Sequence, residues 1–360
     1  MMSNSQALPA FWSQETQAPI ARDEKRQPHD PVGMWYTARK QAGIDDRMWF
    51  GFFEQGRSTP QWHTCSHRFS DGIGALALLL RERYDHDCGP LPAGKERQAP
   101  HWKEVWRRRP GVDAPRGRLR WRHLDASLSE CASHVPVSLL LNVMQTRGIE
   151  QQAKEAGVSS TVWLLWTADR AMRATLTEAG SVNDWVFPVN LRGAVQGADE
   201  FTNHCSGFGV HLSGEEAPVA VKQQIAERFA RLEHWRQWFF LTLGRWIGQR
   251  GVNWLFRFAQ GRPGRHAGSY SNLGEWNTPG IDGIICSAPG SPAYPVAVST
   301  VLCNGRRALA CRLHPVIGGN PGRAIEFLKH WRKLSLSPVD ISPADPGPVD
   351  LSPADPSPKG

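Results

Sequence analysis

The sequence predicts a mixed α/β fold built in two halves. Three observations point there: short runs rich in aromatic and β-branched residues, amphipathic stretches at helical spacing, and an alternation of the two along most of the chain. The 360 residues, 40% hydrophobic and 21% charged, can bury one large core or two packed ones. That composition excludes a collagen-like rod, a coiled coil and a chain without a core.

Taken in order, residues 1–30 are polar and proline-punctuated and are expected to be a loose lead-in. The first half spans 31–140. Within it, 48–54 and 61–65 read as strands separated by a turn at 55–60. Asp71-Gly72 then opens a helix with Ile73, Leu76, Leu79 and Leu80 at helical spacing, ending in Arg81-Glu82-Arg83. Residues 85–120, rich in Gly, Pro and Arg, read as an exposed connector, with Arg107-Arg108-Arg109 a solvated charge run or a contact for a cofactor's phosphates. The second half spans 141–335. It opens with a helix over 145–156, stopped by Gly157, and a second from a Ser159/Ser160 cap to about Leu176. A strand at 185–189 follows, then one long helix over 217–238 with Val221, Ile225, Phe229 and Leu232 on one face. Strands at 281–287 and 296–303, the run 308–313 and a short helix at 323–334 complete this half. Two tandem decamers, PVDISPADPG at 338–347 and PVDLSPADPS at 348–357, are too rich in proline for regular structure, so 336–360 is expected to be disordered.

The net charge of +8 and pI near 9.3 suit a partner that carries phosphates: nucleic acid, anionic lipid or a phosphorylated co-substrate. The seven cysteines are an odd number without a CxxC pair, which fits reduced thiols. The longest apolar runs fall far short of the ~20 residues of a membrane span, and the first residues lack the charged and apolar regions of a secretory leader. A cytoplasmic protein is expected, with peripheral membrane contact left open.

The chemistry concentrates in Thr64-Cys65-Ser66-His67-Arg68-Phe69-Ser70-Asp71-Gly72. A strand end places His67 at the edge of a cleft, where an imidazole that titrates near neutrality can take a proton from a hydroxyl or amine. Asp71 begins a helix, where the dipole favours its carboxylate and an arginine can reach it. Gly72 permits a tight backbone there. His63, His67 and Asp71 are spaced by four, as metal ligands on a helix would be, but on a strand they splay apart, so no metal is expected. No G-x-S-x-G elbow, P-loop or G-x-G-x-x-G is present. Residues 235–258 interleave four tryptophans and four phenylalanines with four arginines. A packed channel wall, a membrane-surface helix or a nucleic-acid reader could each be built this way, nucleic acid being the least favoured partner.

Further segments join His-x-x-x-Asp-Gly in order: Phe187-Pro188-Val189-Asn190-Leu191-Arg192-Gly193, Asn203-His204-Cys205-Ser206-Gly207-Phe208-Gly209 and Ser269-Tyr270-Ser271-Asn272-Leu273-Gly274. Together, over about 45–315, they resemble the acyltransferase superfamily of chloramphenicol acetyltransferase and nonribosomal-peptide condensation domains. Ser66 stands where condensation domains usually carry a first histidine, and the stretch before the motif is about 65 residues, roughly half the usual length. The resemblance implies an α+β sandwich of two lobes with a tunnel between them, the N-terminal lobe shortened. It implies an acyltransferase in which His67 is the general base, Asp71 pairs with Arg192 to brace the site beside Gly72, and Ser271 and Asn272 steady an oxyanion or the donor's pantetheine arm. The donor would be acyl-CoA or a phosphopantetheinyl carrier such as an acyl carrier protein, with no permanently bound cofactor. The acceptor would be a small or lipid-like hydroxyl or amine, and natural-product assembly the setting. A non-catalytic, carrier-docking relative is the alternative.

Overall fold

A computed structural model describes residues 31–108, 117–131, 133–195, 199–260 and 263–338. The expected lead-in, 1–30, lies outside the described residues, as do 339–360 of the expected tail. The first described elements are α1 (Pro31–Gln41), β1 (Arg47–Glu54), β2 (Gln61–Ser66), α2 (Gly72–Tyr84) and α3 (Trp102–Arg107). Next come β3 (Val137–Leu140), α4 (Val143–Glu155), α5 (Ser160–Thr175), β4 (Asn183–Asn190) and β5 (Cys205–Leu212). Then follow α6 (Pro218–Ala230), α7 (Glu233–Thr242), α8 (Gly244–Gln260) and β6 (Gly268–Trp276). The order ends with β7 (Ile281–Ser287), β8 (Val296–Cys303), β9 (Arg306–Leu313) and α9 (Pro321–Leu336).

Residues 48–52 of β1 are buried in succession, because both faces of the strand are covered. Met48, Phe50 and Phe52 pack with Leu76, Leu79 and Leu80 of α2, whereas Trp49 packs with Trp62, Ile285 and, on β9, Ala308 and Ala310. β1 is the centre of a three-stranded antiparallel sheet, β2-β1-β7, in which Phe50 pairs with His63 on one side and Cys286 on the other. A six-stranded sheet runs β3-β9-β8-β6-β4-β5, with β6 parallel to both β4 and β8 and the remaining pairs antiparallel. The fold is thus mixed α/β. Helices α5 and α9 pack together beside it through two large indoles that stay satisfied: Trp163 Nε1 donates to the Ser335 carbonyl and Trp331 Nε1 to that of Leu164, both at 3.0 Å.

Most expected elements form at their expected places, but α1 and β3 were not expected, Leu336 of the expected tail closes α9, and further differences have plain causes. The single helix expected over 217–238 is two, because Leu232 adopts a left-handed conformation (φ 57°) and turns the chain between α6 and α7. The Arg228–Glu233 ion pair at 2.7 Å spans that corner. The expected connector over 85–120 contains α3, whose Val105 is buried in the main core. Finally, β5 and β6, treated above only as motifs, are strands of the larger sheet.

Candidate active site

The turn that carries His67 is fixed by its own polar groups. The His67 amide donates to the Asp46 carbonyl at 2.9 Å, and Ser66 Oγ donates to the Asp46 carboxylate while accepting the Arg68 amide at 3.2 Å. Ser66 therefore ties the loop to the segment before β1. Asp71 closes the turn as the N-cap of α2, its Oδ1 accepting the Gly74 amide at 3.0 Å.

The same carboxylate meets Arg192, just beyond β4, with Nη2 donating to Oδ1 at 2.8 Å. Its Oδ2 accepts the His204 amide at 2.9 Å, so three N–H groups from three segments converge on a side chain in a residue only 4% exposed. Arg192 spends its remaining donors on the Glu200 carbonyl (2.9 Å), the Thr202 carbonyl (3.1 Å) and Asn190 Oδ1 (3.3 Å). A buried pair satisfied this fully holds one geometry. Gly74 makes the approach possible: a Cβ there would stand 2.3 Å from the Phe201 carbonyl oxygen and 2.8 Å from Arg192 Nη2. Gly72, by contrast, is not among the left-handed glycines; its missing side chain leaves room for Leu273, whose Cδ2 would lie 3.2 Å from a Cβ.

The His67 imidazole stacks on Tyr36 of α1, ring centroids 4.5 Å apart and planes 17° from parallel. Its Nδ1 lies 2.9 Å from Asn203 Nδ2, which also donates to the His67 carbonyl at 3.0 Å, while Asn203 Oδ1 accepts the Cys205 amide at 3.1 Å. Nδ1 thus faces protein, with the tautomer deciding whether it accepts from Asn203, and Nε2 is the nitrogen left for a ligand. Burial pushes the imidazole below its ordinary pKa, with Arg39 adding to the shift and Asp71 opposing it. Burial thus favours the neutral ring, the form a base needs.

His67 lines a cavity of about 600 Å³ walled by α1, α7, α8 and the β4-β5-β6 side of the larger sheet. Ser271 also lines it. Asn272 does not: successive side chains of a strand point to opposite faces, and its Nδ2 donates to Thr161 Oγ1 at 2.8 Å, fastening β6 to α5. Asp71 and Arg192 stand behind the ring rather than in the cavity. His63 packs edge-on to Phe52 and Tyr84, at 5.6 and 6.3 Å.

Sequence reasoning missed several lining groups. Tyr36 and Arg39 come from α1, whose start signal is the Asp30-Pro31 pair at the end of the lead-in. Arg39 Nη2 donates to the Gly290 carbonyl at 2.7 Å and Nε to that of Asp45 at 2.9 Å. Burial pushes the Cys205 thiol up to about 12, which disfavours its thiolate. Farther along β4, Asp184 bonds to His266 Nδ1 and lies 3.5 Å from His211 Nδ1, all three lining the cavity. Burial opposes ionisation of Asp184, but the His266 hydrogen bond and the neighbouring imidazoles outweigh it and hold the carboxyl below its usual range.

With this geometry in view, the chain can be set beside known proteins. Its fold is similar to those of condensation and epimerization domains. The epimerization domain from the third module of tyrocidine synthetase B is 13% identical over 76% of this chain and 67% of its own, with a TM-score of 0.41. Trichothecene 15-O-acetyltransferase from Fusarium sporotrichioides is 11% identical over 87% of this chain and 76% of its own (TM-score 0.47). For a structure of condensation domain-mediated chain release from the enacyloxin polyketide synthase the values are 14%, 78% and 58% (TM-score 0.45), so this chain spans less than two thirds of that one. No protein-family model matches the chain, and no curated protein matches it in sequence. The likeness is one of fold, and the roles assigned below rest on this chain's own side chains.

Proposed function

We propose that the protein is an acyltransferase that moves an acyl group from a thioester, acyl-CoA or a phosphopantetheinyl carrier, to a hydroxyl or amine. The observation that carries this reading is the His67 imidazole. Its burial favours the neutral form, Tyr36 stacks on one face, Asn203 meets Nδ1, and the ring lines a cavity large enough for small reactants. In the proposed step, Nε2 takes the proton of the acceptor as its oxygen or nitrogen bonds to the thioester carbonyl. The tetrahedral adduct then collapses, the C–S bond breaks, and the departing thiolate recovers the proton from the imidazolium. A thioester carbonyl is electrophilic enough that orientation and proton removal suffice.

For Nε2 to act as base, Nδ1 must carry a proton. The Asn203 amide nitrogen can only donate, so in the reactive tautomer it donates to the His67 carbonyl alone and Nδ1 keeps its proton. Asp71 and Arg192 act as positioning residues: they hold the first turn of α2 against the end of β4, which sets the aim of His67. Ser271 is the candidate donor to the oxyanion or to the pantetheine arm. The test is release of free thiol from a panel of acyl-CoAs, with and without candidate acceptors, by the wild type and by His67→Ala. Turnover by the wild type should fall at least about a thousandfold in the variant, with an unchanged unfolding midpoint. Equal turnover in the two proteins would remove His67 from the role.

A further inference from the structure

The far side of the cavity wall is itself apolar. Helix α8 buries Val252 and Phe256 against Trp35 and Ala38 of α1. At about 100° per residue, Trp254 and Phe258 point the opposite way, with Arg250 and Arg257 beside them. A helix on a water-facing surface should be polar on that side. Instead Trp254 is 68% exposed and Phe258 79%, stacked on each other at 6.1 Å. Toward the corner with α7, Trp246 is 87% exposed, and Leu243, Ile247 and Phe240 are exposed as well. Gly248, at φ 67° and ψ 174°, bends α8 between the two aromatic groups.

The charge around this face has one sign. Residues 234–274 contain no Asp or Glu. Arg245, Arg250 and Arg257 are exposed on α8, and α1, on which it packs, adds exposed Lys40 and no acid. Tryptophan and phenylalanine interleaved with arginine match a bilayer surface, where rings sit at headgroup depth and guanidinium groups meet lipid phosphates. No helix among the described residues is long and apolar enough to cross a membrane, so the contact would lie in the interface plane.

We infer that the exposed face of α7 and α8 docks the protein on an anionic lipid surface. Phe240 belongs both to this face and to the cavity lining, while Leu241 and Phe256 of the same helices line the cavity from within. Docking therefore brings the rim of the cavity to the headgroup layer, where lipid-like molecules are concentrated. The last point rests on the proposed acyl transfer; the docking itself does not, and vesicle binding is read without activity.

The test is flotation of the full-length protein with vesicles of phosphatidylcholine alone or with about one third phosphatidylglycerol, at low and high salt. The wild type should float with the anionic vesicles at 0.1 M salt, and raising salt to about 0.5 M should weaken retention severalfold. The triple variant Trp246→Ser/Trp254→Ser/Phe258→Ser, which removes only solvent-exposed rings, should lose roughly a hundredfold in partition while keeping its circular dichroism and unfolding midpoint. Arg245→Gln/Arg250→Gln/Arg257→Gln should lose about fivefold per arginine on anionic vesicles and little on neutral ones. Failure of the wild type to float with anionic vesicles at 0.1 M salt would overturn the inference. So would flotation unaffected by loss of the three rings, or light scattering showing a wild-type dimer that the aromatic variant breaks, since a second copy would then own the face.

Discussion

Asp71→Asn tests the brace behind the site most directly, because it changes charge and one donor while leaving shape alone. The carboxylate accepts N–H groups from Gly74, Arg192 and His204 at 3.0, 2.8 and 2.9 Å. An asparagine whose oxygen stays with Gly74 and Arg192 turns its amide hydrogens toward the His204 N–H, donor against donor. Losing the charge-assisted character of the Arg192 bond costs about 1.5–3 kcal/mol, and orphaning a buried amide about 1–3 kcal/mol. The guanidinium, in a residue 5% exposed, also loses its counter-charge, a type of change worth about 3–5 kcal/mol when nothing compensates. Here the carbonyls of Glu200 and Thr202 still receive it, so about 3 kcal/mol is expected. For a chain of this size that is a fall in melting temperature of roughly 4 °C. Arg192→Met should cost as much, and the double variant clearly less than the sum, with a coupling of about 2 kcal/mol in urea-unfolding free energies. Because the pair only aims His67, kcat should fall tenfold or more in Asp71→Asn, with KM little changed. Single variants each costing under about 1 kcal/mol, adding without coupling, would refute the bracing argument.

Three further outcomes are expected of this molecule. With neutral His67 as the active form, kcat/KM should rise with pH and reach half its plateau below the ordinary histidine value of 6.5; Asn203→Asp, which sets a carboxylate beside Nδ1, should move that midpoint up by about one pH unit, and an unmoved pH–rate profile would separate Asn203 from the ring's electrostatics. Gly74→Ala should destabilise by about 3 kcal/mol or fail to fold, since its methyl would overlap the Phe201 carbonyl, and a wild-type urea midpoint would contradict the packing. Burial holds the His314 imidazole down at about 4, so as pH falls through 6.5 the unfolded chain takes up a proton that the folded one refuses. Stability should therefore drop by up to about 3 kcal/mol between pH 6.5 and 4. His314→Asn, which keeps an acceptor for the Val316 amide, should flatten that slope in urea titrations.

The parts of the site legible in the sequence are those whose cause is local. Asp71 reads as an N-cap because a short carboxylate before an apolar helical run has one satisfying use, and its side chain takes that geometry. β1 and β2 read as strands from their aromatic content, α4 from its stop at Gly157 and α5 from its serine cap. What could not be read depends on distant partners. Leu232 in a left-handed turn has no local signature, since leucine pays for that conformation only where the surrounding core, in which it is buried, fixes the corner. Pairing of β1 with β7 joins residues more than two hundred positions apart, beyond the reach of any spacing rule. The difference between Ser271 and Asn272 was readable in principle: once 268–276 is taken as a strand, alternation sends one into the cavity and the other to Thr161.

The imidazole itself is held by groups that no one stretch of chain supplies. Tyr36 stacks on it from α1, Asp46 receives its amide from the segment before β1, and Asn203 reaches it from the segment before β5. Behind it, Asp71 on α2 is clamped by Arg192 after β4. Each of these contacts closes a loop of the unfolded chain, and closing them separately would cost more entropy than one hydrogen bond or one stacked ring returns. They can persist because the two sheets, joined through Trp49, Trp62, Ala308 and Ala310, already hold the segments near one another. The geometry around His67 is therefore a by-product of sheet packing that the Asp71–Arg192 pair refines. That is why removing the pair should lower kcat before it unfolds the protein, whereas opening a gap beneath Trp49 should unfold the protein and abolish activity together.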